Sequence, residues 1–108
     1  MDLIDISTAL VKANNRLSNA SKETLRLAKN RAETERDYRK SLSVEIMRLR
    51  ADGMQATLIP DVARGNINEL KFERDLAMEL HRSALSSMQA LTVEISAWQS
   101  LYKQHNEV

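Results

Sequence analysis

Basic side chains gather on both sides of segment 53–65, which holds both glycines and the one proline of the chain. The residues there that could bind an anion are Arg48, Arg50, Thr57, Arg64, Lys71 and Arg74, and Asp61 lies among them in the connection. Guanidinium groups hold phosphates and carboxylates through paired hydrogen bonds, and free amides at a helix start strengthen such sites. We therefore predict a ligand or partner site at this turn, formed by Arg48, Thr57, Arg64, Lys71 and Arg74 with free amides near residues 66–68.

Arg64 is the strongest candidate because it is the only basic residue inside the connection and directly precedes Gly65. In the competing interpretation the arginines pair with neighbouring carboxylates and only solvate the surface, as surface charge runs usually do. The connection is about 12 residues long, which is more than a hairpin needs, and long ordered loops often have a function. Both interpretations stay open from the sequence.

A second basic run contains Tyr38 between Arg36 and Arg39. An aromatic ring beside guanidinium groups can stack a base and hold its phosphates, so Tyr38 and Arg39 join the candidate binding residues. The alternative is a solvated helix face with pairs four residues apart, such as Arg31–Glu35. Because 16 basic residues are balanced by 15 acidic ones, giving a net charge of +1, extended nucleic-acid binding is not expected.

The sequence contains no phosphate-binding loop and no hydrolase or metalloprotease motif, and it has no cysteine. His81 and His105 lack the helical partner that a metal pair requires. His81 lies on an apolar stripe, so we expect a core or interface histidine with a hydrogen-bond partner. The expectation is a protein that is not an enzyme and has no catalytic residue, metal or cofactor.

The scarcity of glycine and proline predicts an all-α chain with few turns, in one domain. Helix one is expected at about 3–51 and ends where Gly53 adopts a left-handed conformation. An extended segment at 54–59 and a short turn of helix at 60–64, closed by Gly65, complete the connection 52–65. Helix two is expected at about 66–104, with Asn66 as its N-cap and Glu69 completing a capping box.

The two long helices are expected to fold into an antiparallel hairpin. Residues 22–50 carry nine basic and five acidic side chains, whereas residues 51–79 carry three and six. Folding back at the turn places the basic stretch beside the acidic one, which favours antiparallel pairing.

Helix two has a stripe at three- and four-residue spacing that is apolar except for Arg74 and His81: Leu70, Arg74, Ala77, His81, Ala84, Met88, Leu91, Ile95, Trp98 and Tyr102. A second apolar row lies beside it: Phe72, Leu76, Leu80, Val93, Ala97 and Leu101. This face is wider than one partner helix covers, so the hairpin is expected to assemble into an oligomeric helical bundle, a dimer or larger. The predicted oligomer interface is Leu10, Leu17, Met88, Leu91, Ile95, Trp98 and Tyr102. No segment approaches the ~20 apolar residues of a membrane span, and the acidic N-terminus does not fit a signal peptide, so a cytoplasmic location is expected.

The stretch DYRKSLSVEIMRLRADGMQATLIPDVARGNINELKFERDLA, residues 37–77, resembles small helical proteins of about a hundred residues from the early regions of temperate phages and prophages of Gram-positive bacteria. The resemblance covers this stretch well and the flanking helices only as generic coil. The resemblance implies an accessory protein that acts inside a bacterial host, and it implies no particular activity.

These observations favour a phage-encoded adaptor that binds a host or phage macromolecule, to modulate replication or to counter defence. One alternative is an oligomeric protein that sequesters a small nucleotide-like anion. Another is a structural or assembly protein of a virion.

Overall fold

The computed structural model describes residues 1–107 and is all-α. Three helices follow one another: α1 at Leu3–Ala51, α2 at Ile59–Asn66 and α3 at Asn68–Asn106. No strand occurs among these residues. Within residues 1–107, none of the three helices contains a stretch that could cross a bilayer.

The chain divides into two compact units. Unit 1 consists of Met1–Arg26 and the chain from Arg82 onward, and unit 2 consists of Leu27–His81. In unit 2, Tyr38 contacts Arg74, and Arg31 contacts His81. Arg31 precedes Tyr38 on α1, whereas its partner His81 follows Arg74 on α3. The two helices therefore run antiparallel in this unit.

The two ends of α1 follow local chemistry. At the start, the Asp5 amide donates to Asp2 Oδ1 at 2.8 Å and the Asp2 amide donates to Asp5 Oδ2 at 3.3 Å, a reciprocal cap of the capping-box type. At the other end Gly53 has φ +82°, as predicted. The Gly53 amide donates to the Arg50 carbonyl at 3.0 Å and the Met54 amide to the Leu49 carbonyl at 3.1 Å, which is the Schellman pattern.

Five of the six buried positions of α1 recur at multiples of seven residues, and the sixth, Leu49, belongs to the core at the turn. Ile6, Ala13 and Leu27 form one series, and Thr24 and Tyr38 form another. The heptad spacing keeps one side of a helix against an antiparallel partner. On α3, Ala77 and Ile95 are the buried members of the stripe found in the sequence.

The connection differs from the prediction. Residues 54–59 are not extended, because the Leu58 amide donates to the Gln55 carbonyl at 3.0 Å in a turn. The short helix is longer than the predicted 60–64, since Gly65 keeps a helical conformation and the Ile67 amide still reaches the Ala63 carbonyl at 3.3 Å. Burial of Ile59 and Ala63 against Leu49 holds this helix in place.

The start of α3 was also predicted wrongly. Asn66 belongs to α2 and is not the N-cap of the next helix, because its side-chain amide donates to Glu45 Oε1 at 2.8 Å. The Ile67 carbonyl accepts the first hydrogen bonds of α3, from the amides of Leu70 and Lys71 at 3.1 and 3.2 Å. The far end of α3 reaches Asn106, two residues beyond the predicted Gln104.

Candidate functional site

The richest cluster of polar side chains lies in unit 2 and centres on Arg74. Arg74 occupies a position of the apolar stripe of α3, and its guanidinium carbon lies 4.2 Å from the ring centroid of Tyr38 on α1. Its Nε lies 3.7 Å from Glu35 Oε2. A guanidinium that stacks on a buried ring and meets a carboxylate is held in one orientation. The structure thus brings together two predicted site residues, Tyr38 and Arg74.

Asp75 joins Arg74 to Lys71. Arg74 donates to Asp75 Oδ1 from Nη2 at 2.9 Å, and Lys71 Nζ donates to Oδ2 at 2.8 Å. The hydrogen bond from Lys71 and then that from Arg74 hold the pKa of Asp75 below its usual value. The bond to Asp75 raises the pKa of Arg74, although burial opposes this. Both basic groups are therefore already neutralised by a carboxylate within the chain.

Glu35 extends the same network towards the predicted residue Arg39. Arg39 Nε donates to Glu35 Oε1, four residues earlier on α1, and Glu35 also meets Arg74. Four of the seven predicted binding residues, Tyr38, Arg39, Lys71 and Arg74, are thereby linked through Glu35 and Asp75, two acidic residues that were not predicted.

Arg31 contacts a histidine instead of the carboxylate proposed for it. Its Nη1 lies 3.2 Å from Nδ1 of His81, and the predicted pair with Glu35 is replaced by the contacts of Glu35 with Arg39 and Arg74. Because a guanidinium only donates, His81 Nδ1 is the acceptor in this hydrogen bond. His81 is half-buried and has a hydrogen-bond partner, as the sequence analysis expected.

A shallow groove of about 510 Å³ runs beside these contacts, between α1 and α3 of unit 2. We call its apolar lining residues, Ala28, Ala32 and Met78, the floor and its charged ones, Arg31, Glu35, Arg74 and Asp75, the rim. Arg31 is the one guanidinium of this rim that makes no ion pair with any described residue. The groove can therefore offer hydrogen-bond donors to a small anion beside an apolar floor.

The remaining predicted residues lie apart from this groove. Arg48 contacts Glu45 on one side and Asp52 on the other, where Nη1 and Oδ2 are 3.1 Å apart. Bonds from Arg48 and then from Asn66 lower the pKa of Glu45, and Glu45 raises the pKa of Arg48. Arg64 meets only Asp61, at 3.4 Å, and Thr57 is exposed.

The turn is consequently a packed cap more than an open pocket. Leu49, Ile59 and Ala63 form its buried core, and Leu42, Ile46, Met54 and Val62 pack against them. The apolar residues of the connection, which had suggested a functional loop, largely fill this core. The predicted free amides are partly used as well, since that of Ile67 donates to Ala63.

The residues predicted as an oligomer interface lie mainly on the covered side of unit 1. Ile95 is buried, Tyr102 is exposed, and the others are half-buried: Leu10, Leu17, Met88, Leu91 and Trp98. Arg16 Nη1 and Glu94 Oε2 bridge α1 and α3 at 2.9 Å beside this side. Apart from Tyr102, these residues are thus partly or fully covered within a single chain, and most of the large exposed apolar side chains are different ones.

Glu35, Asp75, Arg31 and His81 were not singled out as binding residues from the sequence. A signal was present, because Arg31 precedes Tyr38 by seven residues and Arg74 precedes His81 by seven. Polar residues at repeated heptad positions indicate contacts across a helix pair.

Within residues 1–107, no three His, Asp or Glu side chains are grouped so as to hold a metal ion. No protein-family model matches the sequence, and no curated protein or solved structure matches it either.

Proposed function

We propose that this chain is a non-enzymatic, homo-oligomeric binding protein of a phage, and that it engages a host or phage macromolecule inside the bacterium. The observation that supports this most is a row of exposed apolar side chains on α1 in unit 1. Ile4, Val11 and Leu25 are between 60 and 75 % exposed. Leu25 follows Val11 by fourteen residues, and Val11 follows Ile4 by seven, so the three lie along one side of the helix.

The opposite side of this part of α1 is buried within the chain. Ile6 and Ala13 are fully covered within the chain. A helix segment with apolar residues on two sides has one more apolar surface than its own partner helix can bury. Exposed apolar side chains aligned along one side of a helix suit a protein partner that lies along that helix. A protein partner that covers Ile4, Val11 and Leu25 is the function that this surface fits.

The test is native mass spectrometry of the protein as purified from bacterial cells that carry the phage genes. We expect a co-purifying protein that is retained by the wild type and lost from a Val11→Ser, Leu25→Ser double variant. Lys12→Ser, an exposed change on the same helix, is the matched control and should keep the partner. If wild type and double variant retain the same molecules, the row has no role in binding.

The groove of unit 2 favours a second function, sequestration of a small nucleotide-like anion. The observation behind it is Arg31, whose side chain is half-buried, lines the groove and contacts His81 in place of a carboxylate. Charge-assisted hydrogen bonds from such a group bind phosphate well. A nucleotide released on denaturing the purified protein, and absent from Arg31→Gln, would support sequestration over the adaptor function.

A further inference from the structure

A seam of seven exposed positions runs along α1 in unit 1. Steps of four and three residues alternate along it, and its members are Ile4, Thr8, Val11, Asn15, Ser18, Lys22 and Leu25. This alternation is the heptad spacing of a helix that packs along a second helix. The buried residues Ile6 and Ala13 lie on the other side of α1, so contacts within the chain leave the seam uncovered. We call these seven residues the outer seam.

The apolar members of the outer seam indicate the length of the element that covers it. Ile4, Val11 and Leu25 are 75, 60 and 73 % exposed. They share one heptad position, and Leu25 follows Ile4 by 21 residues, which is roughly 31 Å along a helix. A helix of about 22 residues or more has the length to cover all three.

The polar members indicate what that helix must carry. Thr8 Oγ1 donates to the Ile4 carbonyl at 2.9 Å, so Thr8 can be covered without losing a hydrogen bond. Lys22 is exposed and makes no ion pair with any residue of the described chain. Covering its ammonium group requires a carboxylate, because an unpaired charge is costly to remove from water. Asn15 likewise requires a hydrogen-bonding side chain opposite it.

A second copy of the same seam does not meet these requirements. In a parallel pair, Lys22 would lie against Lys22 of the second copy. In the antiparallel heptad register of greatest overlap, Ile4 would lie against Lys22 of the second copy and Val11 against Asn15 of the second copy. Like charges, or apolar groups against polar ones, disfavour both arrangements. The occupant that fits is therefore a helix of a different protein.

A lipid surface fits the outer seam less well than a helix does. Helices that lie on membranes have a wide, continuous apolar face. Here the apolar residues occupy a single heptad position, and polar residues stand between them. A contact this narrow matches the width of one neighbouring helix.

We propose that the outer seam binds an acidic amphipathic helix of another protein. Apolar side chains of that helix cover Ile4, Val11 and Leu25, a carboxylate meets Lys22, and a hydrogen-bonding side chain meets Asn15. This inference rests on the binding function proposed above and names the chemistry of its partner. It follows the mode of recognition in which anchors at heptad spacing hold one helix against another.

The probes are two synthetic peptides of about 28 residues, which is four heptads, one designed for each direction of the bound helix. Each carries leucine opposite Ile4, Val11 and Leu25, asparagine opposite Asn15, and glutamate opposite Lys22. Glutamine at the flanking positions keeps other charges out of the contact. Binding is measured by isothermal titration calorimetry at moderate salt.

We expect the wild type to bind one of the two peptides and Lys22→Glu to raise its dissociation constant by about tenfold or more, because the change places like charges together. A peptide with lysine in place of the glutamate should show the reverse preference and bind Lys22→Glu more tightly than the wild type. Lys103→Glu is the control. Lys103 is exposed on α3 of the same unit and makes no ion pair within residues 1–107, so this change should leave the constant unaltered.

Circular dichroism of every variant confirms that the helices remain. Equal affinity of wild type and Lys22→Glu for the glutamate peptide would overturn the proposal. A wild type that binds neither peptide but sediments with phosphatidylglycerol vesicles would overturn it in favour of a lipid surface. A co-purifying protein that depends on Val11 and Leu25 but is retained by Lys22→Glu would refute the acidic helix and leave the binding function intact. Charge-selective peptide binding by a protein that retains no macromolecule would support the helix-binding seam and refute the adaptor.

Discussion

The two glycines make opposite demands on the backbone, so the same substitution should change stability in opposite directions. Gly53 has φ +82°, whereas Gly65 lies inside α2 with a helical backbone. An added Cβ would meet no atom within 4 Å at either site. Steric crowding is therefore absent from both comparisons, and only the conformational preference of the backbone differs between the two alanine variants.

The magnitudes follow from this difference. A left-handed conformation costs an L-residue about 1–2 kcal/mol, so Gly53→Ala should destabilise by about that amount. At Gly65 alanine adopts the native conformation freely and restricts the unfolded chain, which should stabilise by about 0.4–1 kcal/mol. For a chain of this size the melting temperature should fall by roughly 4–16 °C in the first variant and rise by roughly 2–8 °C in the second.

Thermal unfolding followed by circular dichroism at 222 nm, at one fixed protein concentration, measures both shifts, since oligomerisation makes melting temperatures concentration-dependent. Gly53→Asn should fall between wild type and Gly53→Ala, because asparagine tolerates the left-handed region better. Equal shifts of the same sign for Gly53→Ala and Gly65→Ala would refute the reasoning, since the two sites would then not differ in backbone conformation.

Three further predictions concern charge and burial. The pKa of Asp75 is lowered in the folded state by Lys71 and Arg74, so its contribution to stability is complete above the unfolded pKa of about 4 and is lost as pH falls through the folded pKa. The stability difference between wild type and Asp75→Asn, from urea unfolding, should therefore shrink from pH 7 to pH 3. Ile95 is 7 % exposed, and Ile95→Asp should cost roughly 3–5 kcal/mol in the same assay. Val93, two residues earlier and 69 % exposed, provides the control, and Val93→Asp should cost about 0.5 kcal/mol or less. Arg64→Ala should keep stability within about 0.5 kcal/mol and weaken binding of an anionic ligand or acidic partner, by calorimetry, by about 1.5–3 kcal/mol.

Contrary outcomes are distinct for each of these. If the stability difference between wild type and Asp75→Asn stayed constant from pH 7 to pH 3, the ion pairs of Asp75 would not favour the folded state. Equal losses for Ile95→Asp and Val93→Asp would contradict the burial of one side of α3 only. A large loss of stability with unchanged binding in Arg64→Ala would make Arg64 a brace of the connection, and the predicted site at the turn should then be abandoned.

Features governed by neighbours in sequence could be predicted, and those that depend on long-range contacts could not. Gly53 was placed in its left-handed conformation because helix termination by glycine is local chemistry. The role of Asn66 was misassigned because its partner, Glu45, lies 21 residues away and on another helix. The residue type of Asn66 favours a helix N-cap, but its side chain makes the hydrogen bond to Glu45 instead.

The candidate site shows the same limit. Tyr38 and Arg74 were each suspected from their types, but their contact depends on the register of α1 against α3, which the apolar stripes alone do not fix. Arg31 was expected to pair with Glu35 one turn away, and the actual partner of Glu35 across the helix pair, Arg74, removes that option. A charged side chain at the surface has several oppositely charged neighbours within reach, so sequence spacing alone does not predict which of them it contacts.

The packed cap at the turn also sets an order in which the chain can fold. Leu49 and Ile59 are ten residues apart in sequence, whereas Arg16 and Glu94 are 78 apart. Closing the longer loop first would cost about 1.8 kcal/mol more chain entropy than closing the shorter one. Once the cap has formed, each later contact between α1 and α3 closes only a short additional loop. Folding should therefore start at Leu49, Ile59 and Ala63, and the contacts between α1 and α3 should then form in order of increasing distance from the turn. Amides near Leu49 should gain protection from hydrogen exchange before those near Ala13.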